Sequence, residues 1–248
     1  MNLTMNPIKR IKRKFAGMNF SIQTMETVMD YLINSPTYQD SDVAGFNGQM
    51  FRKRIFAELI KNFKFETIIE TGTYTGNTTG YMAKLSSLPV YTCESNKIYH
   101  SLAKKRLNGI SNIDFILGDS CEFLRELVKR GVCEKNSFIY LDAHWHEHLP
   151  LREEIEIICD NWKDFVIMID DFQVPGDSGY GYDDYGRKKV LSLQCFGPTI
   201  TKYDLVPFFP TLRSADESGS KRGCVILSKR GATSAQIDTL KVLTSRAR

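Results

Sequence analysis

Residues 65–79 read FETIIETGTYTGNTT, and this stretch decides the fold. Phe65 to Glu70 is a short apolar run of strand type, and the Thr- and Gly-rich turn after it runs into a helix through Tyr81 to Leu85. Gly72 and Gly76 let the backbone of such a turn approach a ligand closely. The N-terminus of the following helix offers unpaired N–H groups and the positive end of a dipole. The turn is neither the G-x-G-x-x-G dinucleotide fingerprint nor a G-K-[ST] phosphate loop.

The same strand–turn–helix unit recurs downstream. Pro89–Glu94, Ile113–Leu117, Ser137–Leu141 and Phe165–Ile169 read as strands two to five. Lys97–Leu107, Ser120–Lys129 and Leu151–Trp162 read as the helices between them. Five strands alternating with helices predict a parallel sheet with helices on both faces. Tyr203–Phe208 and Cys224–Ser228 are two apolar runs joined by a polar stretch with no helix between them, which predicts a terminal antiparallel hairpin. A weaker helical pattern lies over Arg187–Gln194. The fold expected is a Rossmann-like α/β domain with a seven-stranded, mostly parallel sheet.

The expected organisation is a basic N-terminal arm and helical cap over 1–50, the main domain over 51–230, and a tail over 231–248. The arm spans about the first fifteen residues, and Ser21–Ile33 follows as an amphipathic helix. The next helix is Phe51–Phe63. Composition is that of a globular protein, with 42% hydrophobic and 25% charged residues. Lys9, Arg10, Lys12, Arg13 and Lys14 carry more positive charge than the net +4 of the whole chain, so the remainder is slightly acidic. That argues against a broad nucleic-acid-binding surface, although the arm itself can meet phosphate. There is no membrane-spanning run and no secretory signal, and the six cysteines form no C-x-x-C pair. A cytoplasmic protein with reduced thiols is expected. The apolar surface around residues 21–60 suits a homodimer contact.

Polar residues punctuate successive strand ends, where open α/β sheets bind ligands. Glu94 ends the second strand and is placed to accept hydrogen bonds from two ribose hydroxyls, with Ser95 beside it. Gly118-Asp119-Ser120 ends the third, where Asp119 can accept from an adenine amino group, or either Asp119 or Ser120 can cap the next helix. Asp142 ends the fourth strand and Asp170-Asp171 the fifth. Carboxylates converging there invite a hard cation such as Mg²⁺, or Mn²⁺ or Ca²⁺.

The motifs ETGTYTGNTT (70–79), VYTCE (90–94), FILGDS (115–120), YLDAHW (140–145) and MIDDF (168–172) together resemble the class I S-adenosylmethionine-dependent methyltransferases, over about residues 50–230. The resemblance implies that Glu70, Thr71, Gly72, Thr73, Gly76, Asn77 and Thr78 hold the methionine part of S-adenosylmethionine. It also implies that Glu94 and Ser95 hold the ribose and Gly118, Asp119 and Ser120 the adenine, with Asp142 also bordering the cofactor. The metal-dependent O-methyltransferases of the catechol and macrocin types are similar in their acids, which implies Asp142, Asp170 and Asp171 as metal ligands. The catechol type has a lysine three residues after the first acid, where this chain has Trp145. His144, His146 or Asp142 is then the expected proton acceptor.

The stretch after the fifth strand, rich in Gly and Tyr, reads as a substrate loop or lid. Tyr180, Tyr182 and Tyr185 are its candidate walls and Asp183, Asp184 and Arg187 its polar contacts. Tyr38–Phe51 is placed to cover the other wall. The expected acceptor is a hydroxyl on a small molecule or sugar. Four other readings stay open here. They are a metal-free methyltransferase, an iron-dependent hydroxylase of the cephalosporin hydroxylase type, an RNA-directed methyltransferase, and a non-catalytic binding protein on the same fold. The H-W-H-E-H run is not H-E-x-x-H, which removes the zinc-protease reading.

Overall fold

The structure is a computed structural model that describes residues 41–144 and 149–245. The basic arm, the Ser21–Ile33 helix and His146 lie outside the described residues. Gln39–Arg248 form one compact unit, so the fold takes in chain before the expected boundary at residue 51.

The chain begins with the short helix α1 (Ser41–Ala44), a 3-10 turn (Gly45–Gly48) and α2 (Met50–Asn62). It then alternates through β1 (Thr67–Thr71), α3 (Asn77–Ser86), β2 (Val90–Glu94), α4 (Lys97–Arg106), β3 (Ile113–Leu117) and α5 (Ser120–Lys129). β4 (Ser137–Leu141), α6 (Leu151–Asn161), β5 (Phe165–Asp170), α7 (Leu193–Lys202), β6 (Leu205–Pro210) and β7 (Cys224–Lys229) follow. The last elements are α8 (Ala232–Asp238) and β8 (Leu243–Thr244). The sheet order is β3-β2-β1-β4-β5-β7-β6-β8. Strands β1 to β5 are parallel, and β7 runs antiparallel between β5 and β6.

The sheet has eight strands where seven were expected, because β8 in the C-terminal tail pairs with Phe209 and Pro210 of β6. Helix α7 starts at Leu193, not at Arg187. The preceding residues are taken by a tight turn in which the Gly186 N–H bonds the Asp184 carboxylate and the Lys189 N–H bonds the Gly186 carbonyl.

Every residue of β1, β4 and β5 is buried. A parallel strand covered on both faces must be apolar on both, and alternate residues serve two cores. Ile69, Ile139, Leu141, Ile167 and Ile169 pack with α5 and α6 residues such as Leu124, Leu127, Ile155 and Ile158. Ile68, Phe138, Tyr140 and Met168 pack with Ile55, Phe56 and Leu59 of α2 and Met82 of α3. Each fully buried side chain of this size contributes about 1.5–3 kcal/mol of hydrophobic free energy.

Register sets the position of the site. Thr71 pairs with Leu141, and Leu141 with Ile169. The next residues along, Gly72, Asp142 and Asp170, therefore emerge side by side at one edge of the sheet.

Candidate active site

The Gly-rich turn is built against the end of β4. Gly72 has φ +87°, and a Cβ there would lie 2.3 Å from the carbonyl oxygen of Asp142. Only glycine satisfies both the conformation and the approach. Gly76, also left-handed at φ +78°, stands at the start of α3. Tyr74 between them is left-handed as well, at φ +47°, and its N–H donates to Glu94 Oε2 at 2.8 Å. Glu94 Oε1 accepts from the Asn96 N–H at 2.8 Å. Burial pushes the Glu94 carboxyl up, while the N–H groups of Asn96, Tyr74 and Ser95 pull it back. A carboxylate has about four acceptor sites, so these three N–H groups leave about one site of Glu94 free.

Several residues expected at the cofactor make contacts within the protein. Glu70 is buried beneath the turn, where its Oε2 accepts from the hydroxyls of Thr79 at 2.5 Å and Thr92 at 2.7 Å. Burial raises its carboxyl to about 7. It ties β1, β2 and α3 together. Thr73 belongs to the same tie, with its hydroxyl 2.6 Å from that of Thr92. Asp119 caps α5, its Oδ1 accepting from the N–H groups of Cys121 at 2.8 Å and Glu122 at 3.1 Å. Ser120 is not the cap. It is buried, as are Thr71 and Glu154, and Thr71 Oγ1, Ser120 Oγ and Glu154 Oε1 have no hydrogen-bond partner. Thr78 Oγ1 accepts from the Phe46 N–H at 3.1 Å, tying the chain before α2 to α3. Asn77 donates from its amide to Thr75 Oγ1 at 3.3 Å. Gly118 and Ser95 lie at the ends of their strands as expected, and Ser95 is exposed.

At the ends of β4 and β5 the acids separate into two roles. Asp170 is wholly buried, and its Oδ1 accepts from the Arg52 guanidinium and from the Asp171 N–H at 2.7 Å. Its Oδ2 accepts from the Tyr140 hydroxyl at 2.5 Å and the Asn47 amide at 3.1 Å. Burial would push this carboxyl up, but Arg52, Tyr140 and the Asp171 N–H outweigh it and hold Asp170 below the ordinary value. With about four acceptor sites filled, Asp170 has none left for a metal, contrary to the sequence expectation. Among the described residues, ligand atoms of Asp142, His144 and Asp171 lie within 4.8 Å of one another.

Asp171 stands at φ +52° and accepts on Oδ1 from Arg222 Nε at 2.5 Å. Arg222 also reaches Asp183 Oδ1 through Nη2. Burial and the neighbouring Asp170 raise the Asp171 carboxyl to about 7. Burial, Asp170 and Asp171 likewise raise Asp142, whose side chain is the most open of the cluster at 33% exposure. His144 is buried, which lowers its pKa and keeps the ring neutral. Four carboxylates (Asp142, Asp170, Asp171 and Asp183) face two guanidiniums (Arg52 and Arg222). Burial first and the neighbouring carboxylates second raise Asp142 and Asp171. A divalent cation fits this donor set.

The substrate loop divides. Asp183 joins the cluster, and the Tyr185 hydroxyl lies on Asp183 Oδ2 and 3.4 Å from the His144 carbonyl oxygen. Tyr182 is half-buried, whereas Asp184 and Arg187 are exposed, with Asp184 used in the Gly186 turn. Tyr180 is a core residue whose hydroxyl donates to the Leu212 carbonyl at 3.3 Å, not a pocket wall.

Arg52, Arg222, Asn47, Tyr140 and Glu154 escaped the sequence reading. One signal was present: Arg52 falls on the same helical face as Ile55, Phe56 and Leu59, which marks a buried cation in need of a partner.

Solved structures are similar to this chain in fold. One is the O-methyltransferase TomG from Streptomyces achromogenes, in complex with SAM and involved in tomaymycin synthesis. It is 15% identical over 92% of this chain and 100% of that one, with a TM-score of 0.56. An O-methyltransferase from Bacillus cereus in complex with SAH is 16% identical over 89% of this chain and 97% of that one, with a TM-score of 0.54. The SAH-bound methyltransferase PaMTH1 from Podospora anserina is 14% identical over 86% and 98%, with a TM-score of 0.50. The chain has the class I methyltransferase fold. No protein-family model matches the sequence, and no curated protein matches it. In a methyltransferase fold the Gly72 turn and the Glu94 strand end belong to the crevice that open α/β sheets use for ligands. Among the described residues, no helix is long and apolar enough to cross a membrane. The six cysteines are free thiols.

Proposed function

We propose that the protein transfers the methyl group of S-adenosylmethionine to a hydroxyl oxygen of a small molecule or sugar, with help from a divalent cation. The observation that carries this reading is the packing of Gly72 against the Asp142 backbone. The turn suited to the methyl donor and the acids suited to the acceptor thereby share one wall. The O-methyltransferases that share the fold support the same reaction class.

When bound, the cofactor supplies an electron-poor methyl carbon on a sulfonium, and the cation supplies a Lewis acid that lowers the pKa of the acceptor hydroxyl. Glu94 would accept a ribose hydroxyl, its backbone bonds to Tyr74 and Asn96 keeping it aimed. The N-terminus of α3 would hold the methionine carboxylate. Asp142, the most open acid of the cluster, would take the acceptor's proton as its oxygen receives the methyl group and the sulfonium leaves as the thioether. Holding oxygen, methyl carbon and sulfur in line supplies most of the rate gain. The products are a methyl ether and S-adenosylhomocysteine.

The test is calorimetric titration with S-adenosylmethionine of wild type and Glu94→Ala. It is followed by transfer of labelled methyl to a panel of hydroxylated small molecules and sugars. Binding in wild type, weakened about tenfold or more in the variant, together with label in an ether product, supports the reading. Absence of cofactor binding in the folded wild type overturns it.

A further inference from the structure

Within the acidic cluster one side chain has no partner. The His144 side chain is 1% exposed, and neither Nδ1 nor Nε2 makes a hydrogen bond. An imidazole buried in this way loses its water bonds and regains nothing. Its Nε2 nevertheless lies 3.9 Å from Asp142 Oδ1, 3.9 Å from Asp171 Oδ2 and 3.8 Å from Asp183 Oδ2. Those separations are too long for hydrogen bonds. They suit donor atoms gathered around a shared centre: among the described residues one ligand atom each of Asp142, His144 and Asp171 lies within 4.8 Å of the others, and Asp183 Oδ2, which also accepts from the Tyr185 hydroxyl, stands beside Nε2. The remaining carboxylate, Asp170, is already saturated by Arg52, Tyr140, Asn47 and the Asp171 N–H.

We infer that a transition-metal dication binds between His144 Nε2 and the carboxylates of Asp142, Asp171 and Asp183, the last supplied by the substrate loop. The use of such an ion rests on the methyltransferase reading, but its binding does not. A nitrogen donor among the ligands favours Fe²⁺, Zn²⁺ or Mn²⁺ over Mg²⁺, which prefers oxygen donors and its own waters. Arg222 sets the geometry by holding the other oxygens of Asp171 and Asp183, leaving their Oδ2 atoms turned toward the ring. Loading the site also ties the substrate loop to the ends of β4 and β5, because Asp183 belongs to that loop. Its N–H already bonds the Asp171 carbonyl at 2.9 Å.

The experiment uses chelator-treated full chain, with and without S-adenosylhomocysteine. Mn²⁺ and Mg²⁺ are titrated by calorimetry, and the Mn²⁺-loaded protein is examined by electron spin echo modulation for a coordinated ¹⁴N nucleus. The expected result is one Mn²⁺ bound about tenfold or more tighter than Mg²⁺, with ¹⁴N modulation. His144→Gln should lose the modulation, and Asp183→Asn should keep it with weaker binding, each checked for folding by its thermal melt. Mn²⁺ held without ¹⁴N modulation in wild type overturns the assignment of His144, and no Mn²⁺ binding overturns the site. Unchanged Mn²⁺ affinity in Asp183→Asn overturns the loop ligand. Homocysteine-cofactor binding is read from the same samples. Its loss with the ion retained counts against the methyltransferase reading alone, and the converse counts against the metal site alone.

Discussion

The guanidinium of Arg52 lies on the carboxylate of Asp170, and both side chains are fully buried. This pair joins α2 to the end of β5, since Arg52 also donates to the carbonyl oxygen of Arg222 beside β7. Such a pair is weak evidence for net stability, but half of one is costly. Arg52→Met is expected to destabilise the protein by about 3–5 kcal/mol. The double variant Arg52→Met, Asp170→Asn should recover much of that loss. Urea unfolding of the two singles and the double measures the coupling, and strictly additive losses would contradict it.

Gly72 carries a backbone requirement and a steric one. Gly72→Ala places a methyl 2.3 Å from the Asp142 carbonyl oxygen at φ +87°. The left-handed conformation alone costs about 1–3 kcal/mol, and relief of the clash must move the β4 end away from the turn. The expected outcome is a lower thermal midpoint together with weaker cofactor binding. An alanine variant with wild-type melting and wild-type binding would show that the two turns are not in contact.

Glu154 gives the protein a pH dependence that the sequence conceals. Burial raises its carboxyl from 4.5 to about 7. The unfolded chain releases this proton near 4.5, whereas the folded chain keeps it until about 7. Stability from this group is therefore full below the lower value and falls as pH rises through the window, by about 3 kcal/mol. Glu154→Gln should gain on wild type as the pH moves from 5 to 8. Melting curves at both pH values check the sign, and a gain confined to pH 5 would contradict it.

Arg222 bridges Asp171 and Asp183 through two different nitrogens, Nε and Nη2. Lysine offers one point of charge and cannot span both carboxylates in the same way. Arg222→Lys should leave the melting transition of the sheet almost unchanged and speed amide exchange in the loop around Asp183 severalfold. Exchange there identical to wild type would mean that the loop is held by other contacts.

Tyr140 donates to a charged acceptor in a dry environment, and its hydroxyl meets Asp170 Oδ2 at 2.5 Å. Tyr140→Phe should cost about 1.5–3 kcal/mol and leave cofactor binding unchanged, since Tyr140 is wholly internal. Chemical denaturation beside a cofactor titration separates these effects.

The strands were readable because a parallel strand buried on both faces has little choice but to be apolar throughout. IIE, FIYL and FVIMI stand out for that reason, and each is followed by polar residues at its C-terminal end. The hairpin was readable because the polar stretch between Tyr203–Phe208 and Cys224–Ser228 carries no helical period, and it holds only a three-residue 3-10 turn, Ser214–Asp216. The strand β8 was missed because two residues carry no periodicity. Helix α7 was placed too early because the Gly186 turn competes for the same polar residues.

By itself the sequence determined the α/β fold, the Gly72 turn and the edge at which Glu94, Asp142, Asp170 and Asp171 gather, because hydrophobic period and strand-end polarity are local properties. Only the tertiary structure decided what each acid does. Asp170 and Asp171 are adjacent and chemically identical, but a buried guanidinium 118 residues earlier in the chain neutralises one of them. The other shares the half-buried Arg222 with Asp183 and faces His144. Electrostatic energy depends on distance and burial in space, and no spacing along the chain specifies either.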